Sequence, residues 1–227
     1  MAVITISRQY GSGGDEIAEQ VCNLLGYRLL DKRLLQQVAV EVGLSRDEAV
    51  DFSEEHYRAR SFFASLFGPR QRVVAEVSER TRGTAGATEI SIVQLDEEQC
   101  IALVRAAVNA AYARDNMVIV GRGSQAILAD KPGVLHVRIQ APLEWRLARI
   151  REKEHLSPVE ARSLIDQRDL AAAQYLDRFF HVAWDDPQLY HLVINTGRCD
   201  LDLAAQVIVN AAQHLGQQVE QPGSKAA

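Results

Sequence analysis

At 227 residues the chain is long enough for one sizeable α/β domain with a smaller helical insert. Its 47% apolar and 24% charged residues are ordinary for a soluble globular protein, and no apolar run reaches the length of a membrane span. The net charge of −5 excludes a general electrostatic attraction to nucleic acid or to a membrane surface, so an anionic ligand has to be held by local groups.

The first residues, MAVITISRQ, lack the basic, apolar and small-residue order of a signal peptide. The three cysteines, Cys22, Cys100 and Cys199, stand in no metal-ligand spacing and read as structural thiols. A cytoplasmic protein is expected. Residues 3–7 read as a buried strand that runs through GSGG into a helix over 15–25, with Ile17, Ala18, Val21, Leu24 and Leu25 on one stripe. A second strand covers 27–30 and a second helix 32–42. Residues 46–95 break the pattern: the stretch starts acidic, turns Arg-rich, carries Phe62, Phe63 and Phe67, and contains the loop RGTAGAT. It is expected to be a helical insert or acceptor-binding segment, and a homodimer contact through it is equally compatible. A helix opened by Asp96 with an acid-rich first turn follows over 96–114, then strands over 117–121 and 134–139. Pro142 and Ser157-Pro158 start two more helices, 192–195 is the fifth strand, and 200–215 the last helix, with a disordered tail expected over 216–227. Five near-continuous apolar strands alternating with helices predict an α/β fold, a parallel sheet covered on both faces, in a single domain over 1–215.

The turn after the first strand has the makings of an anion site. Gly11, Ser12, Gly13 and Gly14 allow consecutive backbone N–H groups to converge, and the helix that follows adds its own free N–H groups and dipole. The alternative is a tight strand-to-helix turn that binds nothing. Against the phosphate-loop pattern G-x-x-x-x-G-K-[ST], Arg8 replaces the first glycine, Gly14 the lysine, and Glu16 falls at or next to the hydroxyl position. Asp15 and Glu16 would repel a bound phosphate, and Arg8 is the candidate substitute cation, with an ordinary surface arginine at the strand end as the alternative. The six histidines show no HxxxH or HExxH spacing; His136 reads as a core-edge strand residue, His181 as packing or loop structure with a site beside Asp185 and Asp186 as the alternative, and Trp184 and Tyr190 as core anchors with base stacking as the alternative.

Four blocks, ITISRQYGSGG, LGYRLLDKRLL, VIVGRGSQAIL and FFHVAWDDPQLYHLVINT, together resemble the cytidylate kinase-like family, relatives of cytidylate kinase among the nucleoside monophosphate kinases. The resemblance covers residues 3 to about 209 and is weakest across the insert. It implies a three-layer P-loop kinase fold with a five-stranded parallel sheet and a lid near 150–180, and transfer of the ATP γ-phosphoryl group to a nucleoside monophosphate such as CMP or dCMP, with magnesium. The expected partners are a nucleotide or a phosphorylated small molecule, with neither nucleic acid nor membrane. A nucleotide-binding regulatory or interaction protein without catalysis, or a kinase for another small acceptor, are the alternatives.

Residue by residue, the resemblance assigns Gly11, Ser12, Gly13 and Gly14 to the phosphate loop and Asp31 to the acceptor phosphate, although Asp31 also suits a helix N-cap. Arg122, flanked by glycines at a strand's C-terminal end, matches an arginine that grips the acceptor phosphate. Arg146 and Arg149 match the stretch that meets ATP phosphates, with an exposed charged face as the alternative. Arg168, Asp169 and Arg178 match lid-region positions, and no residue is assigned to a metal. This chain departs from the pattern at Val120, where an acid helps place magnesium, at Gln37, where an arginine stands, and near Ala172 and Tyr175, where an Asp and an Arg read the sugar. At Asp15 the family commonly carries a basic residue.

Overall fold

The computed structural model describes residues 2–30 and 97–220. The expected helix over 32–42, the 46–95 segment, Asp31 and Gln37 lie outside the described residues.

The sheet has five strands, β1 (Val3–Arg8), β2 (Arg28–Leu29), β3 (Met117–Val120), β4 (Val134–Gln140) and β5 (Leu192–Asn195), all parallel, in the order β2-β3-β1-β4-β5. The side-chain alternation of β1 sets the layers. Ile4 and Ile6 point into a core shared with α1 (Gly14–Leu25) and the final helix, α6 (Leu201–Glu220). Val3 points the other way, against α2 (Glu97–Arg114). Both faces are therefore covered, as the apolar strand sequences require. The final helix continues to Glu220, past the end expected at Leu215.

Between β3 and β4 lies a four-residue helix, α3 (Ser124–Ile127), too short to leave a periodic signal in the sequence. The region expected to hold a lid, 150–180, spans the end of α4 (Leu143–Glu154) and the long α5 (Pro158–Phe180). Ser157 caps α5 with a full capping box to Glu160, and Pro158 takes its first position. Ile150, Ala161 and Ile165 form a small core between the two helices, and Tyr10 packs on it, so the helix pair is anchored beside the turn after β1. Among the described residues, no helix is long and apolar enough to cross a membrane.

The second face of the sheet is polar near its middle. Trp184 Nε1–H donates to Ser7 Oγ (2.9 Å), and Tyr190 O–H donates to the Trp184 carbonyl (2.8 Å). The buried Arg138 guanidinium lies over both rings and donates to the same carbonyl. Trp184 and Tyr190 are thus core anchors, as expected, and Arg138 is a buried cation that the sequence did not mark. His181 is the left-handed C-cap of α5, and Asp186 caps the turn Pro187–Leu189.

His136 is 4% exposed, shares a 2.7 Å hydrogen bond with Thr5, and stacks on His191 at 5.2 Å. Burial first, then His191, pushes its pKa from 6.5 down to about 4, against a hydrogen bond to the Leu128 backbone. The folded state therefore favours the neutral ring. Above pH 6.5 folded and unfolded chains bind the same number of protons here. Below it the unfolded chain binds more, and stability falls as pH drops from about 6.5 to about 4, by about 3 kcal/mol. Urea midpoints measured across that window are expected to fall for the native chain and to stay nearly flat for His136→Gln; equal slopes would remove His136 from the account.

Candidate functional site

Ligand crevices in open parallel sheets lie at the strands' C-terminal ends, where neighbouring connections leave in opposite directions. Here that point lies at β1, flanked by β3 and β4. The turn after β1 carries positive φ at Gly11 (79°) and Gly13 (84°), and Gly13 is the N-cap of α1. A side chain on Gly13 would also meet Leu201, with a Cβ only 2.6 Å from a methyl carbon. The first N–H groups of α1 have no backbone acceptor within the helix, and Gly14, Asp15 and Glu16, which carry them, line the opening. Ser12 is fully buried: its carbonyl accepts from Thr196 Oγ1 (2.7 Å), which ties the turn to the residue after β5.

Two struts hold the turn from outside. Arg146, 6% exposed, donates from Nε to the Ala141 carbonyl (3.2 Å) and from Nη1 to the Tyr10 carbonyl (3.2 Å) and to Asp169 (2.5 Å). Asp169 in turn accepts from the Tyr10 N–H (2.9 Å). The i,i+3 pair Arg146 and Arg149 is therefore divided: Arg146 turns inward to the loop backbone, and Arg149 reaches the opening. Arg168 lies over the Tyr10 ring, 5.7 Å from its centre. Arg178 is exposed on α5 over Phe179. Neither lines a cleft at the loop.

The first cleft, about 280 Å³, lies between the glycine turn and α4. Among the described residues, Arg8, Arg149 and Lys153 share its walls with the carboxylates Asp15, Glu16, Glu152 and Glu154. The two acids that open α1 are both paired: Arg8 Nε donates to Asp15 (3.1 Å), and Arg149 and Lys153 donate to Glu16 (3.2 and 3.3 Å). Burial opposes ionisation of Glu16, but its own backbone N–H, Lys153 and Arg149 outweigh it and hold the carboxyl below the usual range. Glu16 in turn raises the Lys153 pKa. Half-exposed pairs of this kind contribute about 0–1 kcal/mol each, so an incoming phosphate can displace them. Lys153 was missed from the sequence; its i,i+4 spacing from Arg149 was the available signal.

The second cleft, about 170 Å³, is lined by Arg8, Asp15, Glu19, Leu29, Leu30, Val120 and Arg122. Three consecutive left-handed residues, Gly121 (φ 64°), Arg122 (62°) and Gly123 (66°), end β3, and the Gly121 N–H is tied to Ile6 (2.9 Å). A non-glycine residue held there is strained, a feature that clusters at ligand sites. Ala172 and Tyr175 are buried in a cluster with Leu176 and Trp184. No group of three or more metal-ligating side chains occurs among the described residues.

A model of the cytidylate kinase-like family matches residues 3–198. The chain is 23% identical over 209 residues to a cytidylate kinase of Halobacterium salinarum, covering 92% of this chain and 88% of that one. It is 24% identical over 214 residues to a cytidylate kinase of Thermococcus sibiricus, covering 94% and 89%. The structure of an uncharacterized protein of Eubacterium ventriosum superposes with a TM-score of 0.61 at 19% identity, covering 94% of this chain and 99% of that one.

Proposed function

The chain belongs to the cytidylate kinase-like family, and from that premise we propose an ATP-dependent phosphotransferase acting on a nucleoside monophosphate. The observation that carries this reading is the meeting of two clefts at the C-terminal ends of β1 and β3, one on the glycine turn and one on Arg122. ATP lies in the first cleft, its phosphates on the turn and the N-terminus of α1, with Arg149 and Lys153 alongside. The acceptor phosphate lies in the second cleft on Arg122. Phosphoryl transfer of this type needs positioning and neutralisation of spread negative charge, and these cations supply both. Asp15 and Glu16, carboxylates beside the turn, are residues that would hold a magnesium ion carried by the triphosphate, and the ion would supply neutralisation of phosphate charge.

The buried Ala172 and Tyr175 support a second acceptor class. Positions that would read the sugar are taken up by the core, so the acceptor is selected through its phosphate, and a different phosphorylated small molecule fits the same site. Coupled ADP release with CMP, dCMP, UMP, AMP and GMP, in magnesium, separates the two. Arg122→Ala is expected to raise the acceptor KM about tenfold or more while the ATP KM stays near native. If no nucleotide is turned over and none raises the melting temperature, the kinase reading is wrong.

A further inference from the structure

Arg8 and Gly14 occupy, in reverse, the motif positions of a glycine and a lysine. The structure gives this exchange a steric basis. The Arg8 stem crosses the place where a side chain on Gly14 would start: a Cβ there would lie 2.5 Å from Arg8 Cβ and 2.8 Å from its Cγ. These are the first atoms of the arginine, which cannot swing aside as its far end could. Apart from Arg8, the nearest neighbour of that Cβ is Ile139 Cβ at 3.6 Å, an ordinary contact. One cationic side chain therefore fits over the turn, rooted either at position 8 or at position 14.

Arg8 also stands where the chemistry needs such a cation. It lines both clefts, and among the described residues the only other one to line both is Asp15, which accepts from its Nε. The arginine side chain is only 12% exposed, so its charge lies in a partly desolvated wall where Coulomb interactions are stronger than in water. Arg149 and Lys153 reach the first cleft alone, and Arg122 the second alone.

We propose that Arg8 is the transposed lysine of this phosphate loop, rooted on β1 instead of on the helix, and that it contacts the phosphoryl group passing between the two clefts. Asp15 is its positioning residue. The inference rests on the kinase reading, in which the loop binds a triphosphate and its terminal phosphoryl group crosses to the second cleft.

The test is a reciprocal swap, read by equilibrium binding of ATP with magnesium and by the melting temperature without nucleotide. Arg8→Gly is expected to weaken ATP binding about tenfold or more through loss of a charge-assisted contact. Gly14→Lys is expected to lower the melting temperature and weaken binding, because its Cβ meets the arginine stem. The double variant Arg8→Gly/Gly14→Lys is expected to regain the native melting temperature and ATP affinity to within about threefold, a strongly non-additive result. Should Gly14→Lys fail to fold, Arg8→Gly and the double variant still make the comparison. A native chain that binds ATP beside a double variant no tighter than Arg8→Gly overturns this inference alone. A native chain that binds no ATP overturns it together with the kinase reading.

Discussion

Asp169→Ala is expected to lower the stability of the folded chain by about 3 kcal/mol, the low end of the range for breaking a buried ion pair. The Arg146 guanidinium that it faces is 8% exposed in its side chain, against 19% for Asp169. Without the carboxylate, its remaining partners are the carbonyls of Ala141 and Tyr10, which cannot neutralise it. The Tyr10 N–H loses its acceptor in the same step. For a chain of this size the melting temperature should fall by about 6–12 °C. Asp169→Asn keeps an acceptor oxygen and should fall less. Because both struts end on Tyr10, at the start of the glycine turn, the alanine variant should also bind ATP more weakly at temperatures where it is still folded. A melting temperature within about 1 °C of native would mean that the pair holds nothing.

Gly123→Ala should destabilise by about 2–4 kcal/mol, for two separable reasons. The backbone there has φ 66°, which costs an L-residue about 1 kcal/mol or more. The new Cβ would also press on the Phe180 ring, at 2.8 Å from Cζ and closer still to Cε2. That ring has little room to retreat, since the Arg105 guanidinium lies over it at 4.8 Å and is itself bonded to the Phe179 carbonyl. Overpacking of this sort adds about 1–3 kcal/mol. Gly26→Ala isolates the backbone part: its φ is 67°, and among the described residues nothing lies within 4 Å of a Cβ. Denaturant midpoints of the two variants should therefore differ by the packing contribution; equal losses would show that Phe180 does not confine Gly123. The adjacent Arg122 should lose its orientation in the first variant alone, visible as a rise in the acceptor KM.

Much of the fold was legible along the chain. Apolar runs bounded by turns marked all five strands, and the Ser157-Pro158-x-Glu160 signature marked the start of α5. The short α3 escaped because four residues carry no period. At the candidate site, residue types were easier to read than their roles. Asp15 looked from the sequence like a charge that repels phosphate. In the fold it accepts from Arg8, which turns the most telling departure from the family pattern into part of the loop's own support. Arg146 and Arg149 looked equivalent on one helical face, yet a rotation along α4 buries the first on Tyr10 and Asp169 and leaves the second with Glu16.

By itself, the sequence determined the order of strands and helices, the parallel sheet and the glycine turn, because strand runs, caps and the φ freedom of glycine are local properties that neighbours along the chain specify. Only the tertiary structure decided which cations serve that turn. Charge acts through space, and the approach of Arg8 to Gly14, of Arg149 and Lys153 to Glu16, and of Arg146 to Tyr10 depends on how β1, α1 and α4 pack together.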